Sequence, residues 1–217
     1  MQLKSFGCSF IFGTDLADDG RYGRSATVSQ LTWPALISQH LDFGYSCYAR
    51  PGSGNLRILE SIISNTVIND PAVFIINWTW IDRFDYTSLD DKWQTIMPVD
   101  NSSLAHTYYK ELHSQYRDKL TTLIHISTAI DLLQQKKIPF VMTYMDDLIF
   151  ETKWHCNPAI IELQEKIRPH LHTFDNQNFL EWSKLNGHPI SSTMHPLEQA
   201  HQAAVQLMMP KVLKVLE

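Results

Sequence analysis

Two short, continuous apolar runs constrain the fold of this chain more than any other feature of its sequence. They are residues 72–77 (AVFIIN) and 139–145 (PFVMTYM). A strand that is buried on both faces reads as an unbroken apolar run, whereas a half-exposed strand alternates. Segments with helical periodicity flank both runs. The sequence therefore predicts an α/β protein whose parallel sheet is covered by helices on both faces.

The full pattern predicts five strands alternating with helices in one domain of 217 residues. The strands are expected at residues 3–6, 45–49, 72–77, 139–145 and 171–174. The helices are expected at residues 29–41, from 55 onward, at 104–136 with at most one break, at 158–167 and at 196–216. The polar and aromatic stretch at 82–103 shows no clear period, so we interpret it as an insertion loop.

Composition excludes several classes of function. The net charge is −5 and the pI is about 6.0, which does not fit a nucleic-acid-binding surface. No apolar run approaches the roughly 20 residues that a membrane span requires. Three cysteines without a CxxC pair suggest a reducing, cytoplasmic setting. The spacing of the histidines at 188, 195 and 201 does not match a zinc motif, so no metal is expected. The glycine loop at 52–55 lacks the GxxxxGK[ST] and GxGxxG patterns of nucleotide sites, so no other cofactor is expected either.

Chemistry-bearing residues cluster where the predicted strands end, which is where ligands bind in open α/β sheets. A serine hydroxyl becomes a nucleophile beside a histidine base, and the oxyanion that forms needs donors fixed in advance. The sequence supplies both kinds of group. The hydroxyl and the base are Ser9 and His195, and the candidate donors are Gly52, Gly54, Asn55 and Thr79.

These residues, in this order, resemble the SGNH (GDSL-like) hydrolase superfamily. Gly7-Cys8-Ser9 stands where the family has Gly-Asp-Ser, Gly52 or Gly54 stands for its second glycine, and His195 stands for the final histidine. The resemblance implies a three-layer α/β/α sandwich with a mostly parallel, flavodoxin-like five-stranded sheet. It also implies ester hydrolysis, with Ser9 as nucleophile and His195 as general base. The backbone N–H groups of Ser9 and of Gly52 or Gly54 would hold the oxyanion.

The sequence departs from that family at two functional positions. The family's third motif contains an asparagine, which is missing from Asn77-Trp78-Thr79-Trp80, so the Thr79 hydroxyl or the Asn55 amide is expected to replace it. Ser192 stands three residues before His195, where the family has an aspartate. Asp175, Asp146 or a backbone carbonyl is the candidate partner that orients the imidazole.

The expected substrate is a small-molecule or glycan ester, such as an O-acetylated sugar or a lipid ester. Trp78, Trp80 and Arg83 are the candidate substrate-binding residues, because aromatic faces suit sugars and acyl chains alike. Three alternatives stay open. Ser9 could merely cap its turn, and Arg83 could belong to a loop salt-bridge network. Without the acid, the chain could be a weak or inactive module that binds a glycan or a protein through residues 78–80 and 82–103.

Overall fold

In the computed structural model, which describes residues 1–20 and 27–217, five parallel strands form the central sheet. Their order is β2-β1-β3-β6-β7. This arrangement confirms the predicted α/β fold. The strands are β1 (Gln2–Phe6), β2 (Gly44–Cys47), β3 (Ala72–Trp78), β6 (Phe140–Tyr144) and β7 (Leu171–His172).

Alternating side chains of the strands form two hydrophobic cores, one on each face of the sheet. Val73 and Ile75 of β3 face one core, and Phe74 and Ile76 face the other. The helices that cover the first face are α1 (Ser9–Phe12), α2 (Trp33–His40), α7 (Phe179–Leu185) and α8 (Glu198–Leu216). Those that cover the second are α3 (Asn55–Ser64), α5 (Gln115–Gln135) and α6 (Pro158–Ile167). The result is a three-layer sandwich.

The interpretation of residues 82–103 as a loop was wrong in part. The stretch contains an antiparallel hairpin of β4 (Phe84–Thr87) and β5 (Trp93–Ile96). Tyr108 and the hairpin residue Ile96 form a third, small core. Strands of four residues are too short to show alternation clearly, which is why the sequence pattern did not reveal them.

The long helical segment is interrupted, as the sequence allowed. It consists of α4 (Ser103–Thr107), a π-helical turn at Tyr108–Leu112, and α5. The Ser114 hydroxyl accepts a hydrogen bond from the backbone N–H of Arg117 and so caps the start of α5. Helix α7 was not predicted, because its seven residues are too few to establish a period. Across residues 1–20 and 27–217, no helix is long and apolar enough to cross a membrane.

Two isoleucines of α5 test which side of this helix faces the sheet. Ile126 is fully buried, whereas Ile124 is 44% exposed. We expect Ile126→Ala to lower the free energy of unfolding by about 3 kcal/mol, because it leaves a cavity in the core. The control Ile124→Ala should cost less than about 1 kcal/mol. Urea unfolding at constant pH measures both, and equal losses would contradict the helix orientation.

Candidate active site

The turn after β1 presents the hydroxyl of Ser9. Gly7 permits a close approach there, because a Cβ on it would lie 2.8 Å from the Ile11 side chain. Cys8 is the extended residue before α1, and Ser9 is the first residue of this helix. The helix ends after four residues at Gly13, which adopts φ 85°. Ser9 is buried except for 7% of its surface, so its hydroxyl is held in one place by the packed turn.

A second tight turn presents His195 to that hydroxyl. The Ser191 N–H donates to the His195 carbonyl at 2.8 Å, and the His195 N–H donates to Ser191 Oγ at 3.1 Å. Met194 takes φ 68° to close the turn. His195 Nε2 then lies 2.8 Å from Ser9 Oγ, across 186 positions of sequence. The structure therefore brings the expected nucleophile and the expected base into hydrogen-bonding distance.

The carboxylate beside the imidazole belongs to Asp15. Its Oδ2 lies 2.8 Å from His195 Nδ1 and accepts a hydrogen bond of 2.7 Å from the Ser191 hydroxyl. The Thr193 hydroxyl also donates to it. Burial alone would raise the pKa of Asp15, but hydrogen bonds from Thr193, Ser191 and His195 outweigh burial and lower the pKa to about 2. Asp15 is therefore ionised at neutral pH and can hold Nδ1 as the protonated nitrogen.

Asp146 and Asp175, the acids expected from the sequence, make other contacts. Asp146 accepts hydrogen bonds from the Ile81 and Leu148 N–H groups. Asp175 accepts one from the Trp182 indole. The overlooked signal was Gly13, because a helix that ends there lets the chain turn and bring Asp15 to the far side of the imidazole. Asp15 itself takes φ 71°, a conformation that aspartate tolerates better than most residues.

Of the two glycines expected at the oxyanion site, only Gly52 keeps its N–H available. The Gly54 N–H donates to Asp85 Oδ1 at 2.9 Å, and a Cβ on Gly54 would lie 2.6 Å from Oδ2 of the same carboxylate. The absence of a side chain at Gly54 therefore lets the Asp85 carboxylate approach the loop. Among the described residues, no acceptor binds the N–H groups of Gly52 or Ser9. The Ser9 N–H is one of the unpaired donors at the start of a helix.

Asn55 and Thr79 connect the start of α3 to the end of β3. The Asn55 amide accepts from the Thr79 N–H at 2.9 Å and donates to the Thr79 carbonyl at 3.2 Å. It also donates to the Thr122 hydroxyl. Its polar atoms are thus occupied, contrary to the expectation that it would reach an oxyanion. The Thr79 side chain is fully buried, and its hydroxyl has no hydrogen-bond partner in the described parts of the chain.

The three candidate substrate-binding residues differ in their surroundings. Trp78 is fully buried, and its indole N–H points at Met142 Sδ, so it offers no surface to a ligand. Trp80 is partly exposed and packs edge-on against Phe10, whose ring centroid is 5.1 Å from that of His195. The Arg83 guanidinium lies 4.8 Å from the Trp80 ring centroid. Trp80 and Arg83 therefore form one partly exposed surface connected to His195 through Phe10.

Arg83 and Asp85 do not form the loop salt-bridge network that the sequence left open. Arg83 donates to the Ser53 carbonyl at 3.1 Å. Asp85 instead receives hydrogen bonds from the Gly54 and Arg57 N–H groups at the start of α3. Arg83, which precedes β4, and Asp85, which lies in β4, thus hold the loop that carries Gly52.

The histidine downstream of His195 is structural. His201 is buried, and its Nδ1 accepts a hydrogen bond of 3.1 Å from the Trp33 N–H. Burial, together with the nearby His195, lowers the pKa of His201 to about 3, so this ring stays neutral. In residues 1–20 and 27–217, no three His, Cys, Asp or Glu side chains are grouped as a metal ion would require.

Comparison with solved structures confirms the predicted resemblance at the level of the fold. TesA is 11% identical with a TM-score of 0.57, and the alignment covers 99% of both chains. The acetyl xylan esterase Est2A of Butyrivibrio proteoclasticus is 14% identical with a TM-score of 0.56. That alignment covers 100% of this chain and 64% of Est2A. The esterase EstA of a Pseudoalteromonas species is 11% identical with a TM-score of 0.52, over 98% of this chain and 96% of that one.

Sequence comparisons add nothing to this result. No protein-family model matches the chain, and no curated protein matches it. At identities of 11–14%, the solved structures establish a shared fold and leave the activity of this chain to be argued from its own residues.

Asp85 gives a test of how the glycine loop is held. We expect Asp85→Ala to lower the free energy of unfolding by about 2 kcal/mol, because it removes the hydrogen bonds that cap α3 and order the loop. Asp90→Ala is the matched control, since Asp90 lies on the exposed turn of the same hairpin. It should leave urea unfolding nearly unchanged. Equal stability of the Asp85 variant and the wild type would contradict the capping role.

The pKa of Asp15 predicts how stability responds to acid. Its pKa is about 2 in the folded protein, against an ordinary value of 3.8. The unfolded chain therefore binds the proton first, and the stability that Asp15 contributes is present above pH 3.8 and lost as the pH falls toward about 2. We expect the wild type to lose more stability than Asp15→Asn over this range in urea unfolding. A constant difference between the two proteins would contradict the pKa.

Proposed function

We propose that this protein is a serine hydrolase that cleaves ester bonds with Ser9, His195 and Asp15. The observation that carries the proposal is one continuous chain of contacts. Ser9 Oγ is 2.8 Å from His195 Nε2, and His195 Nδ1 is 2.8 Å from Asp15 Oδ2. A hydroxyl, an imidazole and a carboxylate in this order form the arrangement that activates a serine.

The acylation step follows from the direction of the hydrogen bonds. With Nδ1–H donating to Asp15, Nε2 of His195 is the acceptor for the Ser9 hydroxyl proton. Nε2 removes that proton while Ser9 Oγ bonds to the ester carbonyl carbon, which forms a tetrahedral oxyanion. The imidazolium then gives the proton to the leaving alcohol as the carbon–oxygen bond breaks. The ionised Asp15 stabilises the imidazolium between these two transfers.

The N–H groups of Ser9 and Gly52 are the proposed oxyanion donors. Backbone donors fixed in a packed turn stabilise the developing charge without rearranging. We leave out Gly54 and Asn55, whose donors are already used, and Thr79, which is fully buried. In deacylation, Nε2 takes a proton from water, the hydroxide bonds to the acyl carbon, and Ser9 leaves with the proton as the carboxylic acid is released.

The proposed substrates are esters of carbohydrates or lipids. Two supports are the surface formed by Trp80 and Arg83 beside the His195 region and the similarity of the fold to an acetyl xylan esterase. An aromatic ring next to a guanidinium suits the apolar face and the hydroxyl groups of a sugar. It can also accommodate a short acyl chain.

The alternative of an inactive binding module loses its main argument. That alternative rested on the missing aspartate before His195. Asp15 supplies a carboxylate at Nδ1 of the His195 ring. Binding through Trp78 also lacks support, since this side chain has no exposed surface. The module remains the outcome to expect if Ser9 proves unreactive.

Rates of p-nitrophenyl acetate hydrolysis test the three assigned roles. We expect Ser9→Ala to abolish turnover above background, because it removes the attacking oxygen. Asp15→Asn should lower kcat by roughly 10⁴-fold, since an amide can no longer stabilise the imidazolium. Asp175→Asn is the matched control and should keep the wild-type rate. A loss of activity in Asp175→Asn alone would return the orienting role to that residue.

A fluorophosphonate probe tests the nucleophile independently of substrate choice. Its phosphorus is attacked by an activated serine, which becomes covalently labelled. We expect one label at Ser9, located by peptide mass spectrometry, and none in Ser9→Ala. Ser53→Ala should label normally, because Ser53 is a buried serine in the neighbouring glycine loop. Absence of labelling in the wild type would favour the binding module.

A further inference from the structure

A pocket separate from the candidate active site lies at the edge of the sheet formed by β7. Its volume is about 440 Å³. Strands β3 and β6 separate this edge from β1, which carries the Ser9 turn. Segments preceding β6, around β7 and at the end of α8 line it, and we call it the basic pocket. Its charged and ring-bearing lining residues are Phe140, His170, His172, Lys211 and Lys214.

The charge of the basic pocket has one sign. Within the described part of the chain, its four titratable lining residues are two histidines and two lysines, and no carboxylate lines it. Burial lowers the pKa of His172, and the positive charges of Lys211, His170 and Lys214 lower it further. Neither lysine forms an ion pair with a described residue. Two lysine ammonium groups and two histidine rings thus line one cavity without a counter-ion from the described residues.

The position of the lysines on α8 explains only part of this cluster. Cations near the carboxyl end of a helix interact favourably with its dipole, which accounts for Lys211 and Lys214 by themselves. It does not account for two histidines from a different segment facing the same cavity. An anion bound between them would relieve the repulsion that lowers the pKa of His172.

The rest of the lining is apolar. Ile138, Pro139 and Val215 contribute to the wall, and the Phe140 ring lies 5.6 Å from the His170 ring. A purely inorganic anion would leave this wall uncovered, whereas a ligand with a short hydrocarbon chain would bury it. We propose that the basic pocket binds a small amphiphilic anion, a free carboxylate that carries a short alkyl chain.

Isothermal titration calorimetry with sodium octanoate tests this proposal. We expect saturable binding with one octanoate per chain, and weaker binding of acetate, which lacks the chain, and of octyltrimethylammonium, which reverses the charge. The double variant Lys211→Gln/Lys214→Gln should weaken octanoate binding about 10-fold, because both exposed cations are removed while a polar side chain stays at each position. The control variant Lys110→Gln/Lys153→Gln removes two lysines outside the pocket and should bind like the wild type.

A second measurement locates the ligand. In a nuclear magnetic resonance titration of the histidine rings, saturating octanoate should raise the pKa of His172, which faces His170, Lys211 and Lys214 in this pocket. Ser9→Ala should bind octanoate equally well, so a failure of the proposed esterase leaves this test intact. The proposal is overturned by absence of binding, by equal binding of the cationic surfactant, by equal loss in the control variant, or by an unchanged His172 pKa.

Discussion

The pairing of β1 between β2 and β3 is the constraint on which the rest of the site depends. Ser5 is in register with Cys47 on one side and Ile75 on the other, so the three strands end at the same edge of the sheet. Parallel strands necessarily bring their carboxyl ends together. The Ser9 turn, the Gly52 loop and the Thr79 region are therefore neighbours, although 70 positions separate the first from the last along the printed sequence. A shift in this register would displace all three segments.

The source of the carboxylate is the main difference from the SGNH pattern. There, acid and base lie three positions apart on one loop, so local structure can hold them together. Here Asp15 and His195 come from opposite ends of the chain, 180 positions apart. Their alignment depends on tertiary contacts, such as the Ala17 N–H donating to Glu198 Oε1 at 2.8 Å. The hydroxyls of Ser191 and Thr193 add direct contacts to the carboxylate.

The sequence predicted the elements whose cause is local or periodic. The apolar runs of β3 and β6 identified the parallel sheet, and the glycine turn with Ser9 identified the strand-end hydroxyl. Asp15 was not predicted, because nothing in its neighbourhood shows that a turn after four helical residues leads to His195. Asp85 was likewise overlooked as a cap for α3, since its partners Gly54 and Arg57 belong to a different segment. Contacts of this kind follow from packing and leave no period in the sequence.

Asp15 and Asp85 show how the surroundings of a carboxylate set its pKa. Burial raises the pKa of Asp85, although hydrogen bonds from Thr95, Arg57 and Gly54 oppose the shift. Asp85 is 5% exposed, and its oxygens accept hydrogen bonds from N–H groups at the start of α3. It therefore acts as a structural anchor. Asp15 keeps 14% of its side chain exposed, and its hydrogen bonds prevail over burial. The carboxylate whose pKa is lowered is thus the one that contacts an imidazole, at His195 Nδ1.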